Sequence, residues 1–198
     1  MADVVVVDGG STDGTSAVAT QYGAHVVQQR ERGYGGALLA GFAATSTPWI
    51  VTMDADLSHR PSFLAALWSR RHEADILIAS RYVPGATVRR PLLRRAMSNV
   101  YRWLVRTIVP TGLQDTQCGG KAYTAEAARA LFTRQTLPGF AFDAEILFLA
   151  RRLGYRVVEV PFALVQPHGS STHLLRDAPR MVRDLVLIRW RAFRGSYR

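Results

Sequence analysis

The amino-acid sequence predicts an α/β fold, a single domain built on a doubly wound, mostly parallel sheet. Three observations lead there. Short apolar runs, each too brief for a helix, recur between turn residues and read as buried strands. Segments of helical periodicity lie between them, the alternation that parallel βαβ units produce. With 198 residues and 48% hydrophobic composition the chain can fill one sizeable core, and no repeat, low-complexity tract or Pro/Gly/Ser-rich linker divides it.

Residues 4–7 are four valines that run straight into the turn Asp8-Gly9-Gly10-Ser11, and a helix is expected over 15–23. Strands over 25–28, 49–53 and 76–79 then alternate with helices over 35–44 and 61–72. Helices over 91–109, 125–132 and 142–153 follow, with a further strand over 156–160. In "RGYGGALLAGF" the glycines Gly33 and Gly35 follow a strand and open a helix. Leu38 stands where a dinucleotide fingerprint requires Gly or Ala, so these glycines read as a tight strand-to-helix entry near a ligand.

The last segment, 174–198, differs in kind from the domain over 1–173. Leu174, Ala178, Met181, Val182, Leu185, Val186 and Ile188 fall at helical spacing, and six arginines from Arg176 to Arg194 supply charge. A basic amphipathic helix of this type either lies in a membrane interface, with its arginines near anionic head groups, or packs on the domain as a terminal helix.

The formal net charge is +10, and Lys121 is the only lysine. Such an excess suits nucleic acid, an anionic membrane surface or an acidic substrate, or is arginine spread over a solvated surface. Nucleic acid is set aside because neither interleaved stacking aromatics nor a recognisable binding module accompanies the charge. One cysteine, Cys118, forms no internal disulfide, which points to a reducing, cytoplasmic compartment. No run reaches the roughly 18 apolar residues that span a bilayer, and no signal peptide precedes the first strand. The expected location is soluble or attached to a membrane surface.

Ligands of doubly wound sheets sit beyond the carboxyl ends of the strands, so the residues that follow each apolar run carry the chemistry. In "VTMDADLSHRP", Asp54 and Asp56 follow the run 49–53, and a period of two puts both carboxylates on one side of an extended backbone. Two like charges so close repel, and a hard cation between them, Mg²⁺ or Mn²⁺, resolves the repulsion. The alternative is a polar turn whose aspartates cap the helix starting near Pro61. Arg81, in "ASRYVPG", lies just beyond another strand end, where a guanidinium grips a diphosphate bidentately or serves as an ordinary surface charge. Arg94 and Ser98, four apart in "RRPLLRRAMSNVYRWLVR", share a helix face that suits a phosphate or simple exposure.

Together these stretches resemble family 2 glycosyltransferases of the GT-A fold, and more narrowly the polyprenyl-phosphate hexosyltransferases. "VDGGSTDGT" is similar to that group's Asp-Asp-Gly-Ser-x-Asp turn, "MDADLSHRP" to dolichyl-phosphate mannosyltransferase, and "LQDTQCGGKAYT" with "FAFDAEIL" to dolichyl-phosphate glucosyltransferase. The resemblance covers essentially the whole chain. It implies that the turn Asp8, Gly10, Ser11 and Asp13 holds the nucleotide, that Asp54 and Asp56 manage metal and diphosphate, and that Arg81 meets the donor phosphates. It places Arg94 and Ser98 at the acceptor phosphate and Asp115 on the acceptor side. The implied reaction moves a hexose from GDP-mannose or UDP-glucose to a polyprenyl phosphate at the inner membrane face, with inversion and with Mg²⁺ or Mn²⁺. A membrane-anchoring subunit is a further implied partner. Because a phosphate monoester has its second pKa near ~6, the acceptor is already largely ionised at neutral pH and a general base is optional. The larger demand comes from the leaving diphosphate.

The chain departs from that pattern at named positions. Gly9 replaces a second aspartate, Ser58 stands where some relatives carry glutamine, and Gln166 and Thr172 occupy the Arg and Lys positions of an Arg-x-x-Gly-x-Ser-Lys loop. His168, His173 or Arg176 are the available substitutes there. The pattern also begins with a strand ending in Pro-x-Tyr/Phe-Asn-Glu, and nothing similar precedes residue 4, which suggests a truncated or misassigned start. A chain complete as written is expected to have weak or absent activity, and a catalytically silent sugar-nucleotide-binding or partner subunit is the alternative function.

Overall fold

In a computed structural model of the chain, the described residues are 3–30, 33–56, 62–88, 92–164 and 174–197. Strand β1 (Val5–Asp8), helix α1 (Thr15–Gln21) and strand β2 (His25–Gln28) form a parallel βαβ unit, with Val5 opposite His25 and Asp8 opposite Gln28. Helix α2 (Tyr34–Ala43) leads to β3 (Trp49–Thr52), and α3 (Ser62–Ser69) with a short 3₁₀ turn leads to β4 (Ile76–Ser80). After the two-residue β5 (Thr87–Val88) come α4 (Leu92–Ile108), β6 (Lys121–Thr124), α5 (Ala125–Phe132) and α6 (Phe142–Arg152). The chain closes with β7 (Val157–Pro161), the short β8 (Ala163–Leu164) and α7 (Leu174–Phe193).

The α/β class and its parallel crossovers are as expected, but the sheet is mixed. Its larger part has the order β3-β6-β4-β7, and β6 runs antiparallel to both neighbours while β4 and β7 are parallel. β6 has no counterpart among the strands expected from sequence. It is four residues long and begins with a lysine, so it offers no apolar run to recognise. Its direction follows from where it starts: Lys121 lies opposite Thr52, the last residue of β3, and Trp49, the first, lies opposite Thr124. The chain therefore enters β6 from the carboxyl end of β3, which brings residues 118–120 beside the segment that follows β3.

A second difference is that β1-β2 and β3-β6-β4-β7 are separate pieces, with the short β5-β8 pair as a third. Among the described residues β1 pairs only with β2, and β3 only with β6. Helix α2 lies across the first two. A Cβ at Gly41 would sit 3.1 Å from Val7 Cγ2, while the next residue, Phe42, meets Tyr123 of β6 edge-on and stacks on Phe132 of α5 with ring centroids 4.1 Å apart.

The core gathers on the four-stranded part. All five residues of β4 are buried, as a strand covered on both faces requires. Helix α6 is buried at each position from Phe142 to Ala150, a helix enclosed all round. Helix α7 completes this core by burying Leu185, Ile188 and Ala192. Of the apolar residues expected to form its membrane face, Leu185 and Ile188 thus point inward, and the packing alternative holds for that stripe. Val186 of the same expected stripe is exposed, together with Trp190 and Phe193, on the opposite side of the helix.

Candidate active site

At the end of β1 the Asp8 carboxylate is buried and occupied by its own turn. Oδ1 accepts from the backbone N–H groups of Gly10 (3.2 Å) and Ser11 (2.8 Å), and Oδ2 accepts from the Ser16 hydroxyl and from Gln28 Nε2 (3.5 Å). Hydrogen bonds from Ser11 and then Ser16 hold its carboxyl well below the usual carboxylate range. Gly10 sits at φ 95°, the left-handed region that makes glycine the natural residue for this turn. Asp13 accepts from the Thr15 N–H (3.1 Å) and hydroxyl (2.6 Å), which tethers the entry to α1 and lowers its pKa.

Beyond β3, Asp54 is half-buried and its Oδ1 accepts a 2.5 Å hydrogen bond from the Tyr34 hydroxyl. Burial and the Asp54 charge push the Tyr34 pKa far up, so the phenol remains a donor. On another side the carboxylate rests on Gly119, where an added Cβ would come within 2.1 Å of Asp54 Oδ2. The Thr52 hydroxyl fastens this junction by donating to the carbonyl of Gly119 at 2.9 Å. One expectation needs correction here. β3 ends at Thr52 and Asp56 lies in a turn, so an extended strand of period two does not set the relation of Asp54 to Asp56.

Arg81, the residue after β4, and Asp115 form a buried pair. Nε donates to Oδ2 at 2.6 Å, Nη2 to Oδ1 at 2.7 Å, and the Arg81 backbone N–H to Oδ2 at 3.0 Å. Burial alone would raise the Asp115 carboxyl, but the Arg81 guanidinium outweighs it and the pKa is lowered. The fork expected to grip a diphosphate is therefore filled by Asp115, and Asp115 is an ionised partner rather than a proton acceptor. Glu159 of β7 holds this loop from below by accepting the N–H groups of Gln114 (2.8 Å) and Asp115 (2.9 Å).

Sequence reasoning missed the groups behind Asp54. Lys121, the one lysine, is buried and donates to the Cys118 carbonyl at 2.5 Å and to Asp143 Oδ1. Burial of Asp143 outweighs the lysine and pushes its carboxyl up to about 6. A lone lysine, with an aspartate in the apolar-rich run "FAFDAEIL", was the available signal. Burial also pushes the Cys118 thiol up to about 12, which makes it inert as a nucleophile. Ser98 is half-buried on α4, and the Arg94 side chain lies outside the described residues, as do Ser58, Gln166, His168, Thr172 and His173.

Among the described residues no three His, Cys, Asp or Glu side chains gather as a metal cage. Asp54 and Asp56 carry the oxygen donors that a hard cation prefers.

A mixed α/β domain with acidic and basic groups at its strand ends is the class that fold and site define. The profile of Glycosyl transferase family 2 matches residues 2–137, and the chain belongs to that family. It is 35% identical to an undecaprenyl-phosphate mannosyltransferase of Micrococcus luteus, over 83% of this chain and 72% of that protein. It is 27% identical to a dolichyl-phosphate beta-glucosyltransferase of Dictyostelium discoideum, over 99% of this chain but only 65% of that longer protein. A similar solved fold is glucosyl-3-phosphoglycerate synthase from Mycobacterium tuberculosis in complex with Mn²⁺, UDP-glucose and phosphoglyceric acid. Its TM-score is 0.70 at 24% identity, covering 93% of this chain and 66% of that one.

Proposed function

We propose that this chain belongs to an inverting transferase that moves a hexose from GDP-mannose or UDP-glucose to a polyprenyl phosphate. The observation that carries the reading is the placement of Asp54, fixed between Tyr34 and Gly119 just beyond β3, in a chain whose relatives are named as undecaprenyl- and dolichyl-phosphate glycosyltransferases. In this reading Asp54 and Asp56 hold Mg²⁺ or Mn²⁺, which supplies charge neutralisation for the leaving diphosphate. The turn from Asp8 to Asp13 receives the nucleotide through its exposed edge, with Asp8 keeping the turn in shape. The Arg81–Asp115 pair acts by holding the 115–120 loop against Asp54. Because Asp115 stays ionised and paired, the acceptor oxygen attacks as the phosphate anion that it already is near neutral pH. Arg94 and Ser98 on α4 receive that phosphate.

An anionic membrane surface is the second partner. No helix among the described residues is long and apolar enough to cross a membrane. On α7, however, Val186, Trp190 and Phe193 are 53%, 50% and 92% exposed along one face. Arg183 and Arg194 flank that face on one side and Arg189 on the other, with Arg194 stacked on the Trp190 ring.

The test is incubation with radiolabelled GDP-mannose or UDP-glucose, Mg²⁺ and polyprenyl phosphate. Lipid-soluble label that disappears in Asp56→Ala is the expected result. Nucleotide binding without turnover or metal dependence would instead support a silent binding subunit, a reading favoured by Gly9 and by the separation of β1-β2 from the four-stranded sheet.

A further inference from the structure

We propose that Tyr34 is a positioning residue that fixes the Asp54 carboxylate, and that the flanking glycines serve to deliver it. The proposal rests on the reading of Asp54 as the group that faces metal and diphosphate. Gly33 has φ 102°, and a Cβ there would lie 2.3 Å from the carbonyl oxygen of Pro138. A Cβ on Gly35 would lie 2.1 Å from Gln135 Nε2 and 3.0 Å from the carbonyl oxygen of Leu137. The Gly35 N–H also donates to the Pro138 carbonyl at 3.2 Å. Gly33 therefore lets the start of α2 press against the Pro138 backbone, as only a residue without a side chain can, while the nearest neighbour of Gly35 is the movable end of the Gln135 side chain.

Tyr34 stands between them. Its ring lies tilted against Phe142 at a centroid distance of 5.2 Å, and its hydroxyl reaches Asp54 Oδ1 at 2.5 Å. Gly119 bounds the same carboxylate on another side. With one oxygen engaged by the phenol, the rotation of Asp54 is restricted and the remaining lone pairs keep a fixed direction. An outer partner that orients a ligating carboxylate typically changes metal affinity by about 10–100-fold. The "RGYGG" segment, which reads from sequence as a tight turn near a ligand, gains a specific purpose: it carries the donor that orients Asp54.

The experiment measures Mn²⁺ affinity of the full chain in the presence of UDP and, separately, of GDP, by electron paramagnetic resonance of free Mn²⁺. Tyr34→Phe keeps the ring against Phe142 and removes only the hydroxyl. It is expected to weaken Mn²⁺ binding by roughly 10-fold or more with an unchanged thermal midpoint, and Asp54→Asn to abolish binding. Gly33→Ala keeps the hydroxyl but meets the Pro138 carbonyl and forces the start of α2 outward, and is expected to weaken binding as well. Wild-type affinity in Tyr34→Phe alongside its loss in Asp54→Asn overturns the role of Tyr34 and leaves that of Asp54 standing. Wild-type affinity in Gly33→Ala overturns the delivery role of the glycines. Wild-type affinity in Asp54→Asn, or no Mn²⁺ binding by the unsubstituted chain, overturns both readings together.

Discussion

Arg81 and Asp115 meet fork to carboxylate, with the Asp115 side chain only 1% exposed and both of its oxygens bonded to the guanidinium. Removing one partner strands a buried charge. Asp115→Asn is therefore expected to cost about 3–5 kcal/mol in urea denaturation. Arg81→Lys retains the charge but not the planar two-point geometry, and is expected to fall between the unsubstituted chain and Asp115→Asn.

Lys121 and Asp143 form a second buried pair, and it predicts a pH dependence. The Asp143 carboxyl moves from 3.8 up to about 6, so the folded state binds the extra proton between those values. Its contribution to stability is then complete below about pH 4 and is lost as pH rises through about 6. Asp143→Asn is expected to flatten thermal stability across that window. Lys121→Met is expected to destabilise by about 3–5 kcal/mol, and the double variant Lys121→Met with Asp143→Leu to recover most of the loss.

Asp8 has the opposite sign. Its pKa is depressed by the hydrogen bonds of its turn, so its contribution is present above the unfolded value of 3.8 and is lost as pH falls toward the folded one. Asp8→Asn is expected to remove this acid-side loss, read as a smaller difference in thermal midpoint between pH 5 and pH 2.5, each about a pH unit on either side of the usual aspartate value.

Gly119 is where the site tolerates least. A methyl group there would overlap both oxygens of Asp54, at 2.1 and 2.4 Å. Gly119→Ala must turn the carboxylate away, and loss of Mn²⁺ and nucleotide binding of at least about 10-fold is expected by calorimetry. Gly10→Ala, where no atom lies within 4 Å, is expected to show backbone strain of about 1 kcal/mol instead of displacement.

The exposed face of α7 predicts binding to anionic vesicles. Trp190→Ser with Phe193→Ser is expected to reduce co-sedimentation with phosphatidylglycerol-containing vesicles several-fold, while Leu185→Ser is expected to lower the melting temperature instead. A charge reversal at Arg183, Arg189 and Arg194 should weaken binding to anionic vesicles most at low salt.

Much of this architecture was legible as local pattern. The bounds of β2 and α5 are those read from sequence, because a strand between turn residues and a helix of clear periodicity announce themselves in their own residues. β6 was not legible. Its meaning lies in the partners of Lys121 and in its antiparallel seat between β3 and β4, and neither is local. The acidic residues of the site were visible as strand-end chemistry, but their partners were not. Tyr34 stands 20 positions before Asp54, and Asp115 stands 34 after Arg81. Nothing in residue type announces which distant group will fill a fork or orient a carboxylate. For α7, two apolar stripes share one helix, and only burial tells the inward set from the outward one.

The division of the sheet has a further consequence for opening motions. Among the described residues the β1–α1–β2 unit is joined to the rest by packing on α2 instead of by ladder bonds, so its amides should exchange with solvent as a separate, less protected unit than those of β4. Asp8 belongs to that lesser unit, whereas Asp54 and Asp115 belong to the greater. A ligand touching both would act as a stitch, and its binding free energy would appear as slowed exchange across Val5–Asp8, far beyond the atoms it contacts.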